Sequence, residues 1–115
     1  MTRPDAAPEL PPLVQRTVDR LIRIFAPERI VLFGSYAKGT THSSSDIDLL
    51  VIANIVGNHA AHQRRADQLA VDCFPPIDIV LATPAEVAEA ATARSPFLLS
   101  VMGYGITIYT SRSIQ

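Results

Sequence analysis

The sequence predicts an α/β (α+β) fold, a small mixed β-sheet flanked by helices. Three observations predict it. Helical and strand-like hydrophobic patterns alternate along the chain. The strand-like segments are short apolar runs bounded by glycine, proline or charge. The chain has 115 residues, 48% of them hydrophobic, which is enough for one domain with a real core and argues against disorder.

The elements follow in order. Residues 1–9 are rich in proline and alanine and are expected to fray as a flexible leading segment. Leu10, Leu13, Val14, Val18, Leu21, Ile22 and Phe25 then recur at helical spacing, with Arg16, Asp19, Arg20 and Arg23 mostly between them. This amphipathic helix must stop near Pro27. Ile30–Phe33 is a four-residue apolar run closed by Gly34, a short buried strand. Residues 35–40 can form a helical turn with Ser35 as N-cap and Gly39 as stop, and residues 41–45 read as a polar loop. Asp46–Ile52 is the second strand. A helix over 59–72 follows, with Leu69 and Val71 supplying a thin apolar face. Pro75 and Pro76 break the chain before a third strand, Ile77–Leu81. Thr83, Pro84 and Glu86 have the order of a helix start: cap, proline at the first position, early acid. Residues 95–102 read as a short apolar helix and Gly105–Tyr109 as a last strand. No internal repeat is present. The domain is expected to span residues 10–110, with 111–115 as a tail.

Composition removes several function classes. A net charge of −1 and a pI near 6.3 give no electrostatic footprint for duplex DNA. No apolar stretch approaches the roughly 18 residues that a membrane span needs, and the leading residues MTRPDAAPEL lack the apolar run of a signal peptide. Cys73 is the one cysteine, so no disulfide can form within the chain, which fits a cytoplasmic protein.

Three aspartates break the strand pattern: Asp46 and Asp48 in SDIDLLVI, and Asp78 in PPIDIVLAT. An ionised carboxylate in a strand that is otherwise apolar is costly unless something pairs with it. Residues two apart in a strand share a face, so Asp46 and Asp48 project together, with Leu50 and Ile52 continuing that face into the core. At about 3.3 Å of rise per residue their Cα atoms lie roughly 6.5–7 Å apart. Carboxylates so spaced can converge on one metal or bridge two. Magnesium takes oxygen ligands and leaves the rest of its shell to water and substrate phosphates. Upstream, Gly34-Ser35 follows a strand and can open a helix; glycine permits close approach to a phosphate, and a helix start offers free N–H groups. This is not a Walker loop, because Lys38 precedes Gly39 rather than following it.

Gly34-Ser35, ten residues, then Asp46-Ile47-Asp48 resembles the signature of the polymerase-beta-like nucleotidyltransferase superfamily, and GSYAKGT followed by SDIDLLV looks most like the minimal nucleotidyltransferases. The resemblance runs from about residue 13 to 110 and includes Asp78 and a Gly-x-x-x-Tyr ending at Gly105–Tyr109. It implies that Gly34 and Ser35 hold the nucleotide triphosphate and that Asp46 and Asp48 bind two magnesium ions. Asp78 becomes the third ligand and the candidate base for the acceptor hydroxyl. Lys38 and Ser45 complete the expected nucleotide-binding set. The family often has arginine where this chain has Lys38, and a lysine keeps the charge but loses bidentate phosphate geometry.

Minimal nucleotidyltransferases are typically antitoxins paired with a HEPN-domain toxin. They act by adenylylating a tyrosine of the toxin, by binding it, or both. The resemblance therefore implies ATP-dependent AMP transfer to such a partner. The alternatives are transfer to a small molecule such as an aminoglycoside, or a non-catalytic binding module. Only about thirty residues follow the third strand, too few for the acceptor domain of larger relatives. An oligomer is compatible with this reading. His59 and His62, three apart, read as surface histidines, and Arg64 and Arg65 as a solvated helix face. Cys73 and the run 97–102 read as packing.

Overall fold

The computed structural model describes residues 10–34, 47–93 and 103–111, with positions 96 and 101 between them. Their elements are α1 (Pro12–Phe25), β1 (Arg29–Phe33), β2 (Ile47–Ile52), α2 (His59–Leu69), β3 (Ile77–Ala82), α3 (Pro84–Ala93) and β4 (Ile106–Thr110). The strands form one mixed sheet in the order β3-β2-β1-β4. β1 is antiparallel to both β2 and β4, and β2 is parallel to β3. The predicted α/β class is thus the observed one. The short helix expected over 95–102 lies largely outside the described residues, as do the turn and loop expected over 35–45.

α1 forms where the sequence alternates at helical period. Val14, Val18 and Leu21 are buried on one stripe. Thr17, on the same side, donates its hydroxyl to the Leu13 carbonyl at 3.0 Å, so its polar atom is satisfied within the helix. The helix ends at Ala26, which turns left-handed (φ 46°) and returns its N–H to the Ile22 carbonyl, and Pro27 prevents continuation. At the other end of the sequence, Thr83 and Glu86 form a reciprocal capping box on α3: the Glu86 carboxylate accepts from the Thr83 N–H at 2.8 Å, and the Thr83 hydroxyl accepts from the Glu86 N–H at 3.1 Å.

The sheet separates two cores. Ile30, Leu32, Ile47, Leu49, Val51, Ile79 and Leu81 face α1 and α2. Val31, Leu50, Ile52 and Ala82 face the other way, with Val101 and the half-buried Val87 of α3. Gly105 lets β4 start close to β1; a Cβ there would strike the Val31 side chain and stand 2.5 Å from the Val101 carbonyl oxygen. No helix among the described residues is long and apolar enough to cross a membrane.

α2 differs from its prediction. It ends at Leu69, and Val71, expected on its apolar face, lies beyond it and is 76% exposed. The buried residue of the helix is Ala66. Polar contacts dock α2 instead. The Gln63 amide donates to the Ile79 carbonyl at 2.7 Å and accepts from the Leu81 N–H at 3.1 Å. His59 adds a contact from Nε2 to the Leu81 carbonyl at 3.2 Å. β3 is an edge strand, so these side chains take the place of a further strand on backbone groups that would otherwise lack partners.

Candidate active site

β1, β2 and β3 meet at one end of the sheet. β1 finishes there and turns at Gly34, while β2 and β3 begin there, so the ends of three strands present their side chains together. Register decides which ones. Phe33 pairs with Asp48 across the antiparallel ladder, and Asp48 pairs with Asp78 across the parallel one. Register partners share a face, so the two carboxylates stand side by side at the spacing of neighbouring strands, roughly 4.8 Å. They occupy the face of Leu50, Ile52 and Val31, the opposite side from α1 and α2. Asp48 is half-buried and Asp78 exposed.

Gly34 sits directly under Asp48. Its φ is +78°, a conformation that side chains other than glycine rarely adopt. A Cβ at Gly34 would collide with the Asp48 Oδ2 and stand 3.2 Å from its Cγ. Two independent constraints, backbone torsion and space, therefore require glycine here. The absent side chain leaves the carboxylate lying against a bare turn.

Of the predicted site residues, Gly34, Asp48 and Asp78 are brought together. Ser35, Lys38, Ser45 and Asp46 lie outside the described residues. Among the described residues no three His, Cys, Asp or Glu side chains cluster as a metal group. The pair that does form, Asp48 with Asp78, offers only oxygen donors, and two adjacent carboxylates repel each other unless a cation lies between them. A hard divalent cation such as magnesium fits these oxygen donors. His59 and His62 are elsewhere. His59 contacts the Leu81 carbonyl, and His62 the Val56 carbonyl at 3.0 Å, with its ring edge-on to Phe25. Gln63 was not visible as a structural residue in the sequence. Its only signal was a polar stripe, His59, Gln63 and Asp67, at helical spacing on a helix with little apolar face.

The strand topology, the glycine turn and the register-paired acids define a nucleotidyltransferase core. The family model described as "Nucleotidyltransferase domain" matches residues 14–98, and the chain belongs to that family. More particularly, it is 36% identical over 70 residues to the protein adenylyltransferase MntA of Shewanella oneidensis, covering 59% of this chain and 50% of that protein. The chain thus spans half the length of this curated relative. Among solved structures it is similar to a toxin–antitoxin with AMP-PNP at 28% identity and a TM-score of 0.58, covering 85% of this chain and 74% of the other. A mutant of the toxin–antitoxin MntA-HpeT gives 26% identity and a TM-score of 0.58, over 90% and 76% of the two chains.

Proposed function

We propose that this chain is a magnesium-dependent protein adenylyltransferase and the antitoxin of a HEPN-domain toxin, with residues 10–110 as its catalytic domain. The observation that carries the proposal is Asp48 standing in register with Asp78 above the bare turn at Gly34. Similarity to MntA and to a toxin–antitoxin with AMP-PNP supports the partner and the nucleotide. The lone Cys73 is in keeping with a cytoplasmic location.

In this reading Gly34 and Ser35, with Lys38 and Ser45, hold the triphosphate of ATP, and Asp46, Asp48 and Asp78 hold magnesium. Magnesium, when bound, would neutralise charge on the triphosphate and polarise the α-phosphate. Asp78, the more exposed carboxylate, is set to accept the proton of the incoming hydroxyl, a tyrosine of the toxin. The hydroxyl oxygen bonds to the α-phosphorus, the bond to the β-phosphate oxygen breaks, and pyrophosphate leaves. Positioning and electrostatics supply most of the acceleration.

The test incubates the chain with α-labelled ATP, magnesium and a candidate HEPN-domain partner, and locates the label by peptide mass spectrometry. AMP on a tyrosine of the partner, absent with Asp48→Asn, is the expected result. Label on an aminoglycoside instead moves the acceptor to a small molecule. No label, with equal protection from the toxin by an Asp46→Ala/Asp48→Ala variant, leaves a binding module.

A further inference from the structure

We propose that the groove between α1 and the end of α2 is the docking site for the acceptor protein, and that it takes an apolar side chain flanked by carboxylates. This rests on the reading that the acceptor is a protein.

The groove has a volume of about 210 Å³ and is walled by Leu13, Arg16 and Arg20 of α1 and by Leu69, Val71 and Cys73 opposite. Three large apolar side chains are left to solvent at this end of the molecule: Leu13 at 45%, Phe74 at 63% and Val71 at 76% exposure. Arg16 and Arg20 lie one helical turn apart on the same wall, and Arg23 continues their side of α1. Among the described residues neither Arg16 nor Arg20 has an ion pair. Asp19, the acid nearest them in sequence, accepts from the Gln15 amide at 3.0 Å, and Asp72 is the one acid in the groove lining. The chain as a whole carries a charge of −1, so two arginines against one acid make a local excess of positive charge around a slot of mixed lining, in which Leu13, Leu69 and Val71 are the large apolar side chains. Apolar anchors framed by arginine are the composition of a protein-binding surface.

The place of the groove fits the reaction. α1 runs back against β1, so its Leu13 end lies at the end of the sheet where β1 turns at Gly34. Cys73 and Phe74 lead directly into β3 and Asp78. The groove is therefore at the catalytic end of the sheet, on the opposite face from the acids. A protein seated in it continues around the sheet end to bring a hydroxyl to Asp78. A nucleic acid would be matched by a long basic track rather than by a short slot in which Leu13 and Val71 are bare.

The experiment measures binding of the full chain to the HEPN-domain partner by titration calorimetry, with AMP transfer assayed separately. Arg16→Glu/Arg20→Glu and Leu13→Ser are surface changes whose folding is checked by thermal unfolding. Each is expected to weaken binding about tenfold or more and to raise the KM for the partner while the KM for ATP is unchanged. Asp48→Asn is expected to abolish transfer and leave binding within about twofold. Charge reversal of the matching partner carboxylates restores affinity to the Arg16→Glu/Arg20→Glu variant. Unchanged affinity in both groove variants overturns the proposal even if transfer proceeds. Binding that the groove variants lose, without any transfer, overturns the transfer reading and keeps the docking site. Three other occupants would also overturn it: a dimer of this chain that Leu13→Ser dissociates; a single-stranded RNA oligonucleotide that binds in place of the partner; or residues 1–9, if removing them tightens partner binding and abolishes the effect of the groove variants.

Discussion

The two faces of β2 are built from alternate residues of one six-residue strand, and they end differently. Toward α1 and α2 it presents Ile47, Leu49 and Val51, each with no exposed surface, so the core runs the whole length of the strand. Toward the other face it presents Leu50 and Ile52, also buried, and then Asp48, where the apolar pattern stops. The contrast separates scaffold from site. One face fixes the strand so firmly that the other can hold adjacent carboxylates, an arrangement that mutual repulsion would otherwise push apart. The proposed chemistry sits where the second core runs out.

The sharpest way to break this contrast is to change the acid and the aliphatic residue next to it. Asp48→Asn keeps the shape of the side chain and removes its charge. Loss of a metal-holding carboxylate forfeits several kcal/mol of transition-state stabilisation, a fall in AMP transfer on the order of 10³-fold. Steady-state transfer from labelled ATP reads this, and a residual rate above about a tenth of the parent would remove Asp48 from the proposed site. Leu49→Ala, one residue along and on the other face, should do the reverse. Leu49 is fully buried, so truncation costs about 2–5 kcal/mol in denaturant unfolding. Transfer per folded molecule should stay near the parent value at low temperature. If both substitutions hit stability and transfer alike, the two faces are not separable.

The same contrast governs how much could be read from the sequence. Asp48 and Asp78 were legible because an acid inside an apolar run is a violation, and violations carry information. Thr83 and Glu86 were legible because a capping box is local, complete within four residues. The register Asp48 to Asp78 was not legible, since it depends on which strands are neighbours, and that is set by contacts far apart in sequence. Gln63 was hidden for a related reason. A polar residue on a helix reads as solvated until the edge strand it serves is known. Val71 was misread because helical spacing extends past Leu69 on paper, while the chain has already left the helix.

Gln63 tests whether the edge of the sheet belongs with the scaffold or the site. Its amide holds the Ile79 carbonyl and the Leu81 N–H, and Asp78 immediately precedes Ile79. Gln63→Ala strips both backbone groups of their partner and should cost about 1–3 kcal/mol in unfolding free energy. Gln63→Glu can still accept from the Leu81 N–H but cannot donate to Ile79, so its loss should fall between parent and alanine. Faster hydrogen exchange at Leu81 than at Leu49 in the alanine variant would show that the loosening is confined to the edge. No change in either measurement would mean that the clamp contributes nothing in solution.

The smallest expected effect comes from the far end of β3. Thr83 caps α3, the helix whose Val87 packs on the same face as the acids. Thr83→Ala removes one partner of the reciprocal pair and leaves the Glu86 N–H unsatisfied, a loss of about 1 kcal/mol. Thr83 is nevertheless distant from the chemistry, because five residues of strand at about 3.3 Å each separate it from Asp78, roughly 16 Å. The variant should therefore lower the unfolding midpoint slightly and leave the KM for ATP and the transfer rate unchanged. Thr83→Ser, which keeps the hydroxyl, should recover the stability. A transfer rate that fell with Thr83→Ala and returned with Thr83→Ser would mean that the position of α3 is felt at Asp48 and Asp78. The face that carries the site would then be a coupled unit, and its stability could not be treated apart from its chemistry.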